Sequence, residues 1–308
     1  MSKAKTINRI LVPLELNSTG ESLLTYAGHL ALACGAELLL FHACKSADLT
    51  HTQQSRCIQT LRTFGEHVLR RVQKPGGAAV PFDCVVRPGK ISDSIERVAE
   101  TYASDLVVME AYPLPGEEHR EGQENHAAAI MELVSCPVLA VPATAQFIKP
   151  EHLVFATDFT DQDKLVLQQL TGFAKQLNAK LTLVHLYPKE DRPQLCNIKT
   201  AMLALEKQLQ DTNVDFKLLE EEDLPEGISD FAEAVSADML VLGTQDNYLV
   251  TRLFSNNYIK TLAYHTRIPL LAYRQNKLKP CSGCCANCAG KHREQQQLQQ
   301  LEINKLNS

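Results

Sequence analysis

The sequence predicts two tandem α/β domains, each a doubly wound, Rossmann-like sheet of five parallel strands. Three observations predict it. Short apolar runs alternate with longer amphipathic stretches along the chain. The whole pattern then runs a second time. The strand-like runs are apolar almost throughout, as strands covered by helices on both faces are. Length agrees, since 308 residues suggest about two domains of roughly 100–200 residues each. A hydrophobic content of 44% supplies their cores.

In order, the first half reads as strand 9–14, helix 18–34, strand 36–43, helix 52–73, strand 81–86, helix 91–102, strand 105–109, helix 123–134 and strand 137–141. The second half reads as strand 152–157, helix 161–177, strand 179–186, helix 192–212, strand 214–219, helix 227–235, strand 238–242, helix 253–265 and strand 268–273. Helices show apolar residues three to four apart. Leu165, Leu167, Leu170, Phe173, Ala174 and Leu177 make one such stripe. Ser92 and Ser229 stand where N-caps belong, just before acidic first turns. Strand–helix alternation with these lengths implies parallel crossovers.

Four blocks carry the repeat in the same order. NRILVPLELN (8–17) answers EHLVFATDFT (151–160), and LALACGAELLLFHAC (30–44) answers FAKQLNAKLTLVHLY (173–187). Without a gap, Ala31 meets Ala174, Ala36 meets Ala179 and His42 meets His185. ISDSIERVAETYASDLVVME (91–110) resembles ISDFAEAVSADMLVLG (228–243), each leading into a strand through Asp105 or Asp238. SCPVLAVP (135–142) matches RIPLLAYR (267–274). Domain boundaries follow at 1–146 and 147–277, with a tail at 278–308. Coincidence explains one such block, not four.

Bulk composition excludes several function classes. Net charge is -5, no long Lys/Arg run neutralises phosphates, and Trp is absent, so nucleic acid is not the expected partner. No apolar stretch approaches the roughly 18 residues that span a bilayer, and ILVPLEL is broken by Pro13 and Glu15. The expectation is a cytoplasmic protein that does not engage membranes. Its ten cysteines are then mostly reduced. Cys34, Cys44, Cys57, Cys84, Cys136 and Cys196 read as small buried hydrophobes.

The first strands ILVPLELN and LVFATDFT, the second strands AELLLFH and AKLTLVH, the fourth strand ADMLVLGT and the last strands CPVLAVP and IPLLAY together resemble a tandem universal stress protein. The resemblance covers about residues 7–145 and 151–274. It implies a five-stranded sandwich of the adenine nucleotide α-hydrolase type, in a family where many members bind ATP and others do not. It also implies a stress-response role without catalysis. The two domains would pack as an internal pseudo-dimer by pairing VLAV (138–141) with LLAY (270–273), with room for a homodimer and an unknown protein partner beyond it. Exposed strand edges need such cover.

For site residues, the resemblance implies an acidic residue after strand one beside the nucleoside, the end of strand two against the base, and a loop G-x2-G-x9-G-[S/T] around the phosphates. Glycines let the backbone approach closely, and helix N-terminal amides favour anions. Carried onto the second half, these are Ala156, Thr157 and Asp158, then Leu186, then Gly243, Asp246, Asn256 and Asn257. Gly243 keeps the family glycine. Asn256 tolerates a left-handed backbone, whereas Asp246 adds a like charge beside any phosphate, at a cost on the order of 1 kcal/mol even in water. The first half has drifted further: Glu15 replaces the aspartate, Glu110 replaces the glycine, and the loop 111–126 carries four glutamates and no phosphate cradle. Any adenine nucleotide, ATP included, is therefore expected in the second domain alone, and weakly. Asp158 also suits a strand end capping the next helix, and Gly243 also suits a tight turn. His42 and His185 read as packed structural residues.

The tail KPCSGCCANCAGKHREQQQ is separate from the resemblance. Cys281, Cys284, Cys285 and Cys288 form two adjoining C-x2-C pairs with His292 beyond. Zn²⁺ or another soft metal, a dithiol–disulfide redox pair, and a Cys-rich segment without a defined role all fit. Metal or redox sensing through this tail is one alternative function. A nucleotide hydrolase or phosphotransferase is another, but no general base or cation site for it is evident.

Overall fold

The structure is a computed structural model that describes residues 6–44, 49–73, 76–111, 126–143, 145–157, 159, 164–209, 213–244 and 268–274. The first half runs β1 (Arg9–Pro13), α1 (Ser18–Cys34), β2 (Glu37–Cys44), α2 (His51–Val72), β3 (Phe82–Pro88), α3 (Ile95–Thr101), β4 (Leu106–Ala111), α4 (His126–Leu133) and β5 (Val138–Pro142). The second runs β6 (His152–Ala156), α5 (Lys164–Leu177), β7 (Lys180–Tyr187), a 3-10 helix (Lys189–Gln194), α6 (Leu195–Gln208), β8 (Val214–Glu220), α7 (Leu224–Ala234), β9 (Met239–Thr244) and β10 (Leu270–Arg274). The expected helix 253–265 lies outside the described residues.

All ten strands join one sheet in the order β3-β2-β1-β4-β5-β10-β9-β6-β7-β8. Pairing is parallel within each half. It is antiparallel across the seam, where Val138 faces Ala272, Leu139 faces Leu271 and Ala140 faces Leu270. The expected VLAV–LLAY pairing is thus the joint between the halves. Each half covers the other's exposed strand edge, which leaves β3 and β8 as the outer strands.

Strand residues alternate between two cores. Ile10, Val12, Leu38 and Leu40 face α1, α2, α5 and α6, and Leu11, Leu39 and Phe41 face α3, α4 and α7. The α5 stripe is buried as expected at Leu167, Leu170, Phe173, Ala174 and Leu177, and Val166 joins it. The first core runs unbroken across the seam through Leu139, Val141, Leu271 and Tyr273.

The halves also meet away from the seam. Gln176 of α5 accepts from the Ile7 amide (3.0 Å) and donates to the Ile7 carbonyl (2.8 Å) and to the Cys34 carbonyl. One amide side chain thereby does for Ile7 what a neighbouring strand would. The connecting segment packs as well: Phe147 lies edge-on to Tyr26 at 5.2 Å and stacks on His29 at 5.6 Å.

The repeat is visible in detail. Asp105 accepts from the amides of Asn8 and Arg9, and Asp238 accepts from those of Glu151 and His152. Each carboxylate so holds the start of its domain's first strand. Helices α3 and α7 end alike, with Ala103 (φ 50°) and Ser236 (φ 52°) in the left-handed conformation. The expected N-caps are corrected here. Helix α7 starts a turn earlier, where Asp223 accepts from the Glu226 amide and Pro225 supplies the fixed φ of a first turn, so Ser229 is buried inside the helix. Helix α3 starts later, at Ile95, because Asp93 closes a separate turn by accepting from the Lys90 amide. By position before Asp105 and Asp238, Ile228 corresponds to Ile95 rather than Ile91.

Candidate functional site

Parallel strands place their carboxyl ends on one rim, and ligands of such sheets bind there. In the second half the relevant ends belong to β6, β7 and β9. Ala156 pairs in register with Leu242, so Thr157 and Gly243 follow as the next neighbours along the rim. Gly243 in turn pairs with Tyr273 of β10. The structure therefore brings Ala156, Thr157 and Gly243 together. Asp158, Asp246, Asn256 and Asn257 lie outside the described residues, as do Cys281, Cys284, Cys285 and Cys288.

Thr157 is held from three directions. Its amide donates to the Val184 carbonyl (2.9 Å), its carbonyl meets His185 Nδ1 (2.9 Å), and its hydroxyl accepts from the Phe159 amide (3.1 Å). The backbone turns sharply enough that Phe159 takes φ 61°. Left-handed backbone in a bulky residue costs about 1–2 kcal/mol. Burial of its ring against His185 (5.7 Å) and Phe216 (6.0 Å) offsets that. The first half repeats the anchor without the strain: the Leu14 amide donates to Phe41, and the Leu14 carbonyl meets His42 Nδ1 at 2.8 Å. Both histidines thus fasten the end of a first strand, as expected for structural residues. Leu16, which occupies the place of Phe159, stays out of the left-handed region.

Leu186 is less available than the sequence suggests. It is 7% exposed and belongs to the core under α7. A Cβ on Gly227 would come within 2.6 Å of Leu186 Cδ2, so the helix rides directly on this leucine. Little of Leu186 is left for a base. The neighbouring rim residues are His185 and Tyr187, half-buried and stacked at 6.5 Å.

One residue here has no signal in the sequence. Asp191, in the 3-10 helix after β7, is buried and accepts from Gln194 Nε2 (3.2 Å). Burial raises its pKa above the usual carboxylate range, against the lowering pull of His185. Only the helix folding back over the end of β7 brings it there.

In the first half the same rim is closed. Asn17 caps α1 by accepting from the Gly20 amide (2.9 Å) and from the Thr19 hydroxyl, while its own amide donates to the Glu15 carboxylate (3.2 Å). A Cβ on Gly20 would fall 1.9 Å from the Glu15 carbonyl oxygen, so helix and strand end touch backbone to backbone. Beside them lies a shallow surface depression with room for little more than a water molecule, lined by Thr19, Ser22, Leu23, Glu110 and Pro142 among others. Glu110 is the charged group in its wall, which repels an anion.

The model of the universal stress protein family matches residues 6–142 and 150–274, one match per half. The chain belongs to the universal stress protein family. Among solved structures, a universal stress protein from Archaeoglobus fulgidus DSM 4304 is similar with TM-score 0.58 and 12% identity, over 89% of this chain and 98% of that one. A putative universal stress protein from Pseudomonas aeruginosa UCBPP-PA14 is similar with TM-score 0.57 and 17% identity, over 87% and 93%. A functionally unknown protein from Pseudomonas aeruginosa PAO1 gives TM-score 0.57 and 17% identity, over 87% and 92%. At these identities the likeness speaks to fold: two universal stress protein domains in one chain. No curated protein matches the sequence closely enough to count as a relative. Among the described residues, no helix is long and apolar enough to cross a membrane, and no group of three His, Cys, Asp or Glu side chains is placed to hold a metal ion.

Proposed function

We propose that this universal stress protein is a non-enzymatic, cytoplasmic stress-response protein that binds adenine nucleotide weakly, through its second domain alone. The observation that carries the reading is the contrast between the two rims. Thr157 and Gly243 are neighbours at the ends of β6 and β9, where a glycine leaves backbone room for a phosphate. Their counterparts Leu14 and Glu110 flank a rim with two carboxylates and a helix end already capped by Asn17. Asp246 keeps the affinity low.

Calorimetric titration of the full chain with ATP tests this. Weak binding is expected, lost in Asp158→Ala and unchanged in Glu15→Ala. Asp246→Gly removes a like charge worth on the order of 1 kcal/mol, so affinity rises about fivefold. Greater sensitivity to Glu15→Ala than to Asp158→Ala would place the site in the wrong half. No binding by Asp246→Gly would remove the nucleotide reading altogether, and ATP turnover above background would remove the non-enzymatic one.

A further inference from the structure

We propose that Cys44 and Cys57 form a reversible disulfide in the first domain when the protein meets a disulfide oxidant. Their sulfurs lie 3.2 Å apart, with the Cys44 thiol directed at Cys57. A disulfide bond is about 2.05 Å long, so closure needs an approach of only about 1 Å. Both cysteines are free in this structure.

Each sulfur is carried by an element with little freedom to move away. Cys44 ends β2, paired in register with Pro88, and its carbonyl accepts from the Gly89 amide (2.9 Å). Cys57 sits in the second turn of α2, whose start is fixed by a capping box between Thr50 and Gln53. The contact therefore follows from how α2 docks on the end of β2. The sequence, in which the two lie 13 residues apart, gives no hint of it.

Exposure divides the roles. Cys57 is half-buried and can be reached; Cys44 is buried. Burial and the neighbouring sulfur push the Cys44 thiol up to about 11, so it is a poor first nucleophile. With glutathione disulfide as oxidant, the Cys57 sulfur attacks one glutathione sulfur. The glutathione S–S bond breaks, and the departing glutathione thiolate takes up the proton that Cys57 gave up. The Cys44 sulfur then attacks the Cys57 sulfur, displacing the second glutathione, which takes the Cys44 proton. Two protein thiols are oxidised by two electrons and one glutathione disulfide is reduced to two thiols. The new bond ties α2 to the end of β2, two residues beyond the His42 that anchors the β1 end.

The test uses the full chain, equilibrated over a series of oxidised-to-reduced glutathione ratios, quenched in acid, alkylated and digested without reduction. Mass spectrometry should find the Cys44 and Cys57 peptides joined, about 2 Da below the sum of the two reduced peptides, and separated again by dithiothreitol. In Cys44→Ser, a glutathione adduct should persist on Cys57. In Cys57→Ser, Cys44 should stay alkylatable. Three wild-type results would each overturn the proposal: a stable glutathione adduct on Cys57 with Cys44 free, linkage of either to a tail cysteine, or full alkylation of both at every ratio. The wild-type peptide map decides the matter even if a serine variant fails to fold.

Discussion

Replacing Gln176 by leucine tests whether the two halves are one structural unit away from their shared strands. The side chain satisfies the amide and carbonyl of Ile7, a buried residue, and the carbonyl of Cys34. Leucine keeps the volume and supplies neither donor nor acceptor, so three backbone groups lose their partner. Each buried polar group left unsatisfied costs about 1–3 kcal/mol. Gln176 itself is half-buried and water can reach part of the gap, so the lower end applies: about 2–3 kcal/mol in all. At about 2 °C per kcal/mol for a chain of this size, the melting temperature should fall about 5 °C. Thermal melts by circular dichroism measure it, and urea unfolding gives the free energy independently. Gln176→Glu is the control. It keeps an acceptor for the Ile7 amide but turns carboxylate oxygens toward two carbonyls, so it should be no better tolerated than leucine. A change below about 0.5 kcal/mol in Gln176→Leu, within the range of an ordinary surface substitution, would refute the clamp.

Five further outcomes follow from the same reasoning. Asp105→Ala and Asp238→Ala each remove a carboxylate that accepts two backbone amides, and should cost about 1–3 kcal/mol apiece by urea unfolding, with similar values because the sites are repeats of one another. Gly20→Ala forces a Cβ against the Glu15 carbonyl, which cannot swing aside as a side chain could, and should lower stability by about 3 kcal/mol or prevent folding, as read by yield and melting temperature. Asp191 gives a pH signature. Its folded pKa is raised, so its proton contributes stability that is full below the ordinary carboxylate pKa and lost as pH rises through the raised value; Asp191→Asn should erase that acid-side gain in melts run against pH. Asp215 has the opposite sign, since its bond to Lys180 lowers its pKa, and its contribution is lost as pH falls through that lowered value. Of the six cysteines expected to be buried, only Cys34 and Cys44 are, and Cys196 is exposed on α6; in timed alkylation of the folded protein Cys196 should react well before Cys34, whose thiol burial pushes up to about 12.

What the sequence by itself determined is the fold. Hydrophobic period and the repeat specify each domain, because a strand buried on both faces must be apolar along its length and an amphipathic helix must cover it. The seam came from the resemblance to tandem universal stress proteins, which implies that VLAV pairs with LLAY, and the structure shows that pairing. Helix starts were less legible. Ser229 competes with Asp223–Leu224–Pro225–Glu226 as a start signal, and the backbone that Pro225 favours settles it. The site was legible as a set of positions and not as a surface. Leu186 follows the strand pattern whether or not a helix covers it, and the close approach of α7 at Gly227 is what buries it. Asp191, Gln176 and the Cys44–Cys57 contact depend on residues 3 to 169 positions apart meeting in space. Periodicity reports which face a residue takes. Only the packing of one element on another reports what it touches.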